Sequence, residues 1–235
     1  LARSIQDSFL PQHIPQLPGW QIAAALEPAR QMAGDYYDFI HLPEGRLGVL
    51  IADVADKGLG PALYMALSRT LIRTFATQHP LLPAQVLTMV NQRILQDARA
   101  NLFVTVFYGV LDPATGQLTY ANAGHPPPSL IKASAGIQTL RNTGMPLGID
   151  EESDWGQETV CMQTGDVLLL YTDGVTDAQN SLGEFIDRKS ILEVANDCPG
   201  KPVELIRQDI LQVVHDFVGE AARFDDITLV VLSRD

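Results

Sequence analysis

At 235 residues, with 46% hydrophobic content and a net charge of −12, the chain is apolar enough to bury a sizeable core. It is too acidic to offer the basic footprint that nucleic-acid phosphates require. Its longest apolar runs, 167–170 and 227–232, are strand-sized and fall far short of the roughly 20 residues that span a bilayer. Membrane insertion is therefore not expected. With no signal-peptide pattern in its first residues, the chain reads as cytoplasmic. Cys161 and Cys198 have no paired spacing, so they suggest neither a disulfide framework nor a zinc site, and neither opens a Cys-x5-Arg phosphatase loop.

Residues 1–10 read as the end of an amphipathic helix, with Leu1, Ile5, Phe9 and Leu10 on one stripe, closed by Pro11. The stripe can continue as a coiled linker that pairs two chains into a homodimer, or it can pack on its own domain. We therefore divide the chain into a linker end, 1–12, and one domain, 13–235. Trp20 to Leu26, Tyr36 to Leu42 and Arg46 to Val54 read as strands, with a turn at 43–45. From Pro61 the pattern becomes helical, with Leu63, Leu67, Leu71 and Phe75 on the apolar side; Pro83 opens a second helix through about Arg99. Strands follow at 103–111 and 117–123 around a proline-glycine turn, then at 127–132, 138–141, 158–162 and 167–172. Helices at 190–196 and 203–218 precede a final strand, 227–232. Antiparallel strands with helices inserted in pairs exclude a regular βαβ alternation and fit an antiparallel sandwich covered by helices.

Acids recur where a strand meets a loop: Asp35 and Asp38, Asp53, Asp173, and Asp225 with Asp226. Carboxylates gathered in one place repel one another unless cations neutralise them, so such a set points to hard divalent metals, provided that it converges. Spacing alone does not show convergence, because an acid after a strand is often only a cap or a turn residue.

Eight segments in order resemble the SpoIIE/RsbU-type branch of the metal-dependent (PPM) protein phosphatases, which are related to the type 2C enzymes. They are Ile5-Gln-Asp-Ser-Phe-Leu-Pro11, Gly34-Asp-Tyr-Tyr-Asp-Phe39, Ala52-Asp-Val-Ala-Asp-Lys-Gly58, Pro61-Ala-Leu-Tyr-Met-Ala66, Tyr120-Ala-Asn-Ala-Gly-His-Pro126, Gly144-Met-Pro-Leu-Gly148, Leu170-Tyr-Thr-Asp-Gly174 and Asp225-Asp-Ile-Thr228. The resemblance implies an α+β fold, an α-β-β-α sandwich of two antiparallel sheets flanked by helices, with a metal centre at one end. Carried over by position, it implies that Asp53 bridges two divalent cations, Mn2+ or Mg2+, beside the Val54 backbone carbonyl. Asp35 then serves one ion, and Asp173 and Asp225 complete the centre; the first acid of the terminal pair is the family's ligand, which favours Asp225 over Asp226.

The implied reaction is hydrolysis of phosphoserine or phosphothreonine on a protein by direct attack of a metal-bridging water. The implied substrate is a phosphorylated STAS-domain anti-sigma-factor antagonist. Three positions stand apart from this pattern. Asp56 occupies a place where many relatives have glycine, no arginine near Asp35 matches the phosphate-binding arginine of the eukaryotic relatives, and Lys57 reads as a surface lysine. His125 is read as fixing its proline-rich loop in preference to serving as a general acid. Two readings from other classes are a non-catalytic partner-binding module and a two-metal nuclease; the acidic surface argues against the latter.

Overall fold

The computed structural model describes residues 6, 8–97, 102–134, 136–196, 198 and 200–235. The chain folds as two compact units, one of Leu1–His13, Gln31–His125 and Arg141–Cys161, the other of Ile14–Arg30, Pro126–Leu140 and Met162–Asp235. Each unit is one five-stranded antiparallel sheet with helices packed against it, so the expected α+β class with two antiparallel sheets holds.

The first unit holds β2 (Tyr36–His41), β3 (Leu47–Val54), β4 (Val104–Asp112), β5 (Gln117–Ala123) and β8 (Glu158–Cys161), hydrogen-bonded in the order β2-β3-β4-β5-β8. Two helices, α1 (Leu59–Gln78) and α2 (Pro83–Asp97), cover one face. Because side chains alternate along a strand, Leu50, Ala52 and Val54 of β3 and Tyr36 and Ile40 of β2 meet the helices, joined in the core by Met65, Ile72, Val90 and Ile94. A loop rich in glycine and proline returns over this unit. Gly144 there lies so close to Trp155 that an added Cβ would stand 2.3 Å from the indole, whose Nε1–H donates to the Met145 carbonyl at 2.8 Å.

The second unit orders β1 (Trp20–Glu27), β10 (Ile227–Arg234), β9 (Val167–Tyr171), β6 (Ser129–Ile131) and β7 (Ile137–Thr139) as β1-β10-β9-β6-β7. Its helices are α3 (Asp173–Thr176), α4 (Arg188–Asn196) and α5 (Val203–Val218). Ile206, Ile210 and Val214 of α5 pack with Val231, Leu229, Leu169 and Val167 of the sheet.

Strand bounds fall within a few residues of those expected from the sequence, but α1 departs from its expected face. The helix starts at Leu59, two residues ahead of Pro61, and Leu63, read as core, is 64% exposed. The buried stripe is Met65, Ser68, Ile72 and Ala76. A polar network turned the helix away from its apolar count. The Tyr36 hydroxyl and Ser68 Oγ are hydrogen-bonded at 2.8 Å, and Asp38, 1% exposed, receives Arg73 Nη1 at 2.6 Å. Arg69 Nε stands 3.0 Å from the same carboxylate, close enough for an ion pair though not aligned as a hydrogen bond. A buried carboxylate demands such partners, and on α1 that demand outweighs one exposed leucine. Burial, opposed by the Ser68 bond, pushes the Tyr36 phenol above its ordinary range and keeps it neutral.

Of the expected terminal helix, Leu1 and Ile5 lie outside the described residues, as does the stretch beyond Asp97 in α2. Gln6 is described and buried, and its amide makes two bonds with Ala33, donating to the carbonyl at 2.6 Å and accepting from the N–H at 3.1 Å.

Candidate metal centre

Two pairs of aspartates form, one in each unit. In the first, Tyr36 and Ala52 are the last pair of the β2–β3 ladder, and Asp35 and Asp53 are the next residues outward from it; continued by one step, the register would set them opposite each other. Both then lie on the sheet face away from α1 and α2, since Tyr36 and Ala52 point toward the helices. Opposed residues on neighbouring strands hold their Cβ atoms about 5 Å apart. Asp35 is 2% exposed and Asp53 half-buried, a costly arrangement for two like charges unless a cation lies between them. Gly34 lies against the end of β3, where an added Cβ would stand 2.9 Å from the Val54 carbonyl oxygen. That carbonyl is thus within close reach of the residue that precedes Asp35. Asp38, from the same motif, points to the helix side and is taken by Arg69 and Arg73.

Asp53 also has a neighbour on its other side. Thr105 of β4 faces it, with Oγ1 3.5 Å from the Asp53 carbonyl and 2.9 Å from His125 Nδ1. His125 is fully buried, its N–H donates to Asn122 Oδ1 at 2.9 Å, and Asn122 Nδ2 donates to the His125 carbonyl at 3.2 Å. The His125 backbone fixes the loop through Asn122, and its imidazole is bonded to the threonine that faces Asp53.

The loop from β3 to α1 passes through Asp56 at φ +76, and the Asp56 carboxylate accepts the Lys57 N–H at 2.8 Å. Glycine would meet no steric penalty at this φ. Asp56→Gly is expected to change stability by less than about 0.5 kcal/mol, since relief of roughly 1 kcal/mol of strain is offset by added unfolded-state freedom. Asp56→Val, with a branched Cβ at positive φ, is expected to cost about 1–2 kcal/mol in urea denaturation. Equal midpoints for the two variants would contradict the left-handed backbone.

The second pair lies where β9 meets β10. Thr172 N–H donates to the Thr228 carbonyl at 3.1 Å, and the Thr228 N–H donates to Thr172 Oγ1 at 3.0 Å. Asp173 and Gly174 then turn into α3 directly against the entry to β10. A Cβ on Gly174 would fall 1.9 Å from the Asp226 carbonyl oxygen, so the Asp-Gly step and the Asp-Asp step touch backbone to backbone. The two acids of the terminal pair differ. Asp226, 6% exposed, accepts the Ala29 N–H at 2.7 Å and so braces the loop after β1, whereas Asp225 is half-buried and its Oδ1 accepts the Asp226 N–H at 2.9 Å.

The loop braced by Asp226 carries Arg30, which sequence reading passed over. It lies five residues before Asp35, is exposed, and has no carboxylate partner among the described residues. The sequence signal was only a cation in an acidic chain just ahead of the Gly-Asp motif; the anchor of its loop, Ala29 on Asp226, is visible in the structure alone.

Among the described residues no three carboxylate, imidazole or thiol groups form a ready-made cage; the donors come as two pairs. Aspartate oxygens with one backbone carbonyl are nonetheless the hard donor set that suits Mg2+ or Mn2+ in preference to softer metals.

Comparison with known proteins bears on family and fold. The family model described as Stage II sporulation protein E (SpoIIE) matches residues 43–235. Protein IcfG of Synechocystis is 32% identical over 99% of this chain, and Phosphoserine phosphatase RsbU of Bacillus subtilis is 30% identical over 100% of it. The chain spans 41% of IcfG and 69% of RsbU. The solved SiaA-PP2C domain of Pseudomonas aeruginosa superposes with a TM-score of 0.87 at 20% identity, covering 100% of this chain and 94% of that one, which shows a shared fold. On the family model and the match to RsbU over the whole of this chain, the chain belongs to the SpoIIE family and has the PP2C phosphatase fold.

Proposed function

We propose that this domain is a metal-dependent protein serine/threonine phosphatase, with Asp35, Asp53, the Val54 carbonyl, Asp173 and Asp225 as ligands of two divalent cations, Mn2+ or Mg2+. The observation that carries the reading is the placement of Asp35 and Asp53 one step outward from the last β2–β3 pair, with the Val54 carbonyl close to Gly34, in a chain of the SpoIIE family. Such ions, when bound, lower the pKa of a coordinated water toward neutrality and offset charge on phosphoryl oxygens. The chain's own work is to place and charge the ligands. Thr105 and His125 hold the backbone of Asp53, and Gly34 leaves room for the Val54 carbonyl. Gly174 lets Asp173 approach Asp225, while Asp226 keeps the loop of Arg30 in place.

Arg30 is the group we assign to the substrate phosphate, because a planar guanidinium can hold two phosphoryl oxygens at once. Arg30→Ala should raise KM for a phosphopeptide about tenfold or more with a smaller change in metal affinity. A KM equal to that of the unaltered protein would remove Arg30 from this role.

The name of RsbU supports phosphoserine as the substrate chemistry. A phosphorylated STAS-domain antagonist remains our proposed target, as does a homodimer formed through residues 1–10. No helix among the described residues is long and apolar enough to cross a membrane, in keeping with the proposed cytoplasmic location. The test is hydrolysis of p-nitrophenyl phosphate and of a phosphoserine peptide with added Mn2+ or Mg2+, with duplex DNA as a control substrate. Turnover should vanish in chelator and return with metal. Undiminished activity after exhaustive chelation would end the metal mechanism, and metal binding without turnover would favour a binding module.

A further inference from the structure

One cavity of the second unit is not used by the phosphatase chemistry. It has a volume of about 280 Å3 and is lined by Pro126, Pro127, Tyr171, Thr176 and Asp177. It lies one helical turn from Asp173: the Asp177 N–H donates to the Asp173 carbonyl at 2.6 Å, and Thr176 Oγ1 reaches the same carbonyl at 3.3 Å. Asp177 is exposed, and its carboxylate has no cationic partner among the described residues.

We propose that this cavity is a specificity subsite that takes a lysine or arginine side chain of the phosphoprotein substrate, close in sequence to the phosphorylated residue. The proposal rests on the phosphatase reading and adds a feature of the substrate to it. The volume is smaller than the roughly 300–1,000 Å3 typical of small-molecule sites, and it is of a size for one long side chain. The lining matches a cationic side chain in two parts. Two proline rings offer an apolar bed for an aliphatic stem, with Tyr171, itself buried, in the wall behind them. Asp177 offers the counter-charge at the rim. A glutamate or aspartate of the substrate would meet repulsion there, and a chain of net charge −12 would reinforce it. The distance from Asp173 is one turn of helix, so a side chain seated here belongs to a residue near the phosphoserine and not to a remote docking segment.

The test uses phosphoserine peptides in which a single lysine, or a single glutamate in its place, is walked through the positions on either side of the phosphoserine. At one or two positions the lysine peptide should have a kcat/KM about fivefold above that of its glutamate counterpart, and the difference should shrink in high salt. Asp177→Asn should bring the ratio close to one, and Asp177→Lys should invert it. The ratio within each variant is the readout, so a general loss of activity does not imitate the effect. A flat scan in the unaltered protein, or a ratio unchanged in both variants, would overturn the subsite. Failure of the phosphatase reading is seen separately, as absence of metal-dependent p-nitrophenyl phosphate turnover. In that event calorimetric binding of a non-hydrolysable phosphonate peptide decides: a charge preference that follows residue 177 retains the subsite, and none removes it.

Discussion

Asp53→Asn is expected to lower Mn2+-dependent turnover by at least about a hundredfold, more than the 10–100-fold typical of losing a group that merely supports a metal ligand. Asparagine keeps the shape of the side chain and can still accept a hydrogen bond, so packing is preserved. What it removes is the charge set against Asp35 across the ladder. Relief of that repulsion should leave the metal-free protein as stable as before or more so. The combination of lost turnover, weakened metal binding and undiminished thermal stability separates a ligand from a structural acid. Asp225→Asn should behave similarly. Asp226→Asn keeps an acceptor for the Ala29 N–H and should be milder, whereas Asp226→Ala should cost about 1–3 kcal/mol of stability by stranding that donor. Equal loss of turnover in folded Asp225→Asn and Asp226→Asn would undo the choice between them, and active Asp53→Asn would undo the metal assignment.

Gly174→Ala should be among the most damaging single-methyl changes in the chain. Its Cβ would sit 1.9 Å from a carbonyl oxygen that belongs to the strand entry itself, so no side chain can swing aside to admit it. Either α3 or the Asp225-Asp226 step must move, and we expect a loss of about 3 kcal/mol or more, at the upper end of overpacking costs. Turnover should fall even at temperatures where the variant is folded, because the step that moves carries Asp173 or Asp225. Gly34→Ala, with its Cβ 2.9 Å from the Val54 carbonyl, should be less costly to the fold. Urea denaturation with an unchanged slope gives the comparison. A Gly174→Ala midpoint equal to that of the unaltered protein would mean that the two backbones do not meet as described.

Strand and helix existence was legible because apolar runs and helical period are local properties: β3 and β10 are near-continuous apolar runs, and α5 keeps its period throughout. Pairing was not legible. Nothing in the spacing of Asp35 and Asp53 reveals that the β2–β3 register, continued by one step, would set them opposite each other, because register is decided by which face each strand buries. Only the family resemblance implied that these acids belong to one site. The sequence also misled at α1, where counting leucines favoured Leu63 over Ser68. Hydrophobicity ranks leucine first for burial, but it is blind to a tyrosine and an aspartate on a neighbouring strand that need a hydroxyl and two guanidinium groups. Arg30 was missed for a related reason: the anchor that defines its loop, Ala29 on Asp226, joins residues almost two hundred positions apart in the chain.

The place of β10 bears on how the protein is made. The first unit has every strand of its sheet by Cys161, so its sheet can close while later residues are still being synthesised. The second unit cannot follow suit. Its strand β1 pairs along its whole length with β10, and β9 pairs with the other edge of the same strand, so the sheet has no centre until Arg234 has emerged. A nascent chain must keep β1 unpaired through some two hundred residues of translation, which marks it as the segment most in need of chaperone cover. Asp225 stands at the mouth of the strand that arrives last, so an unfinished polypeptide holds Asp35 and Asp53 but lacks one acid of the second pair.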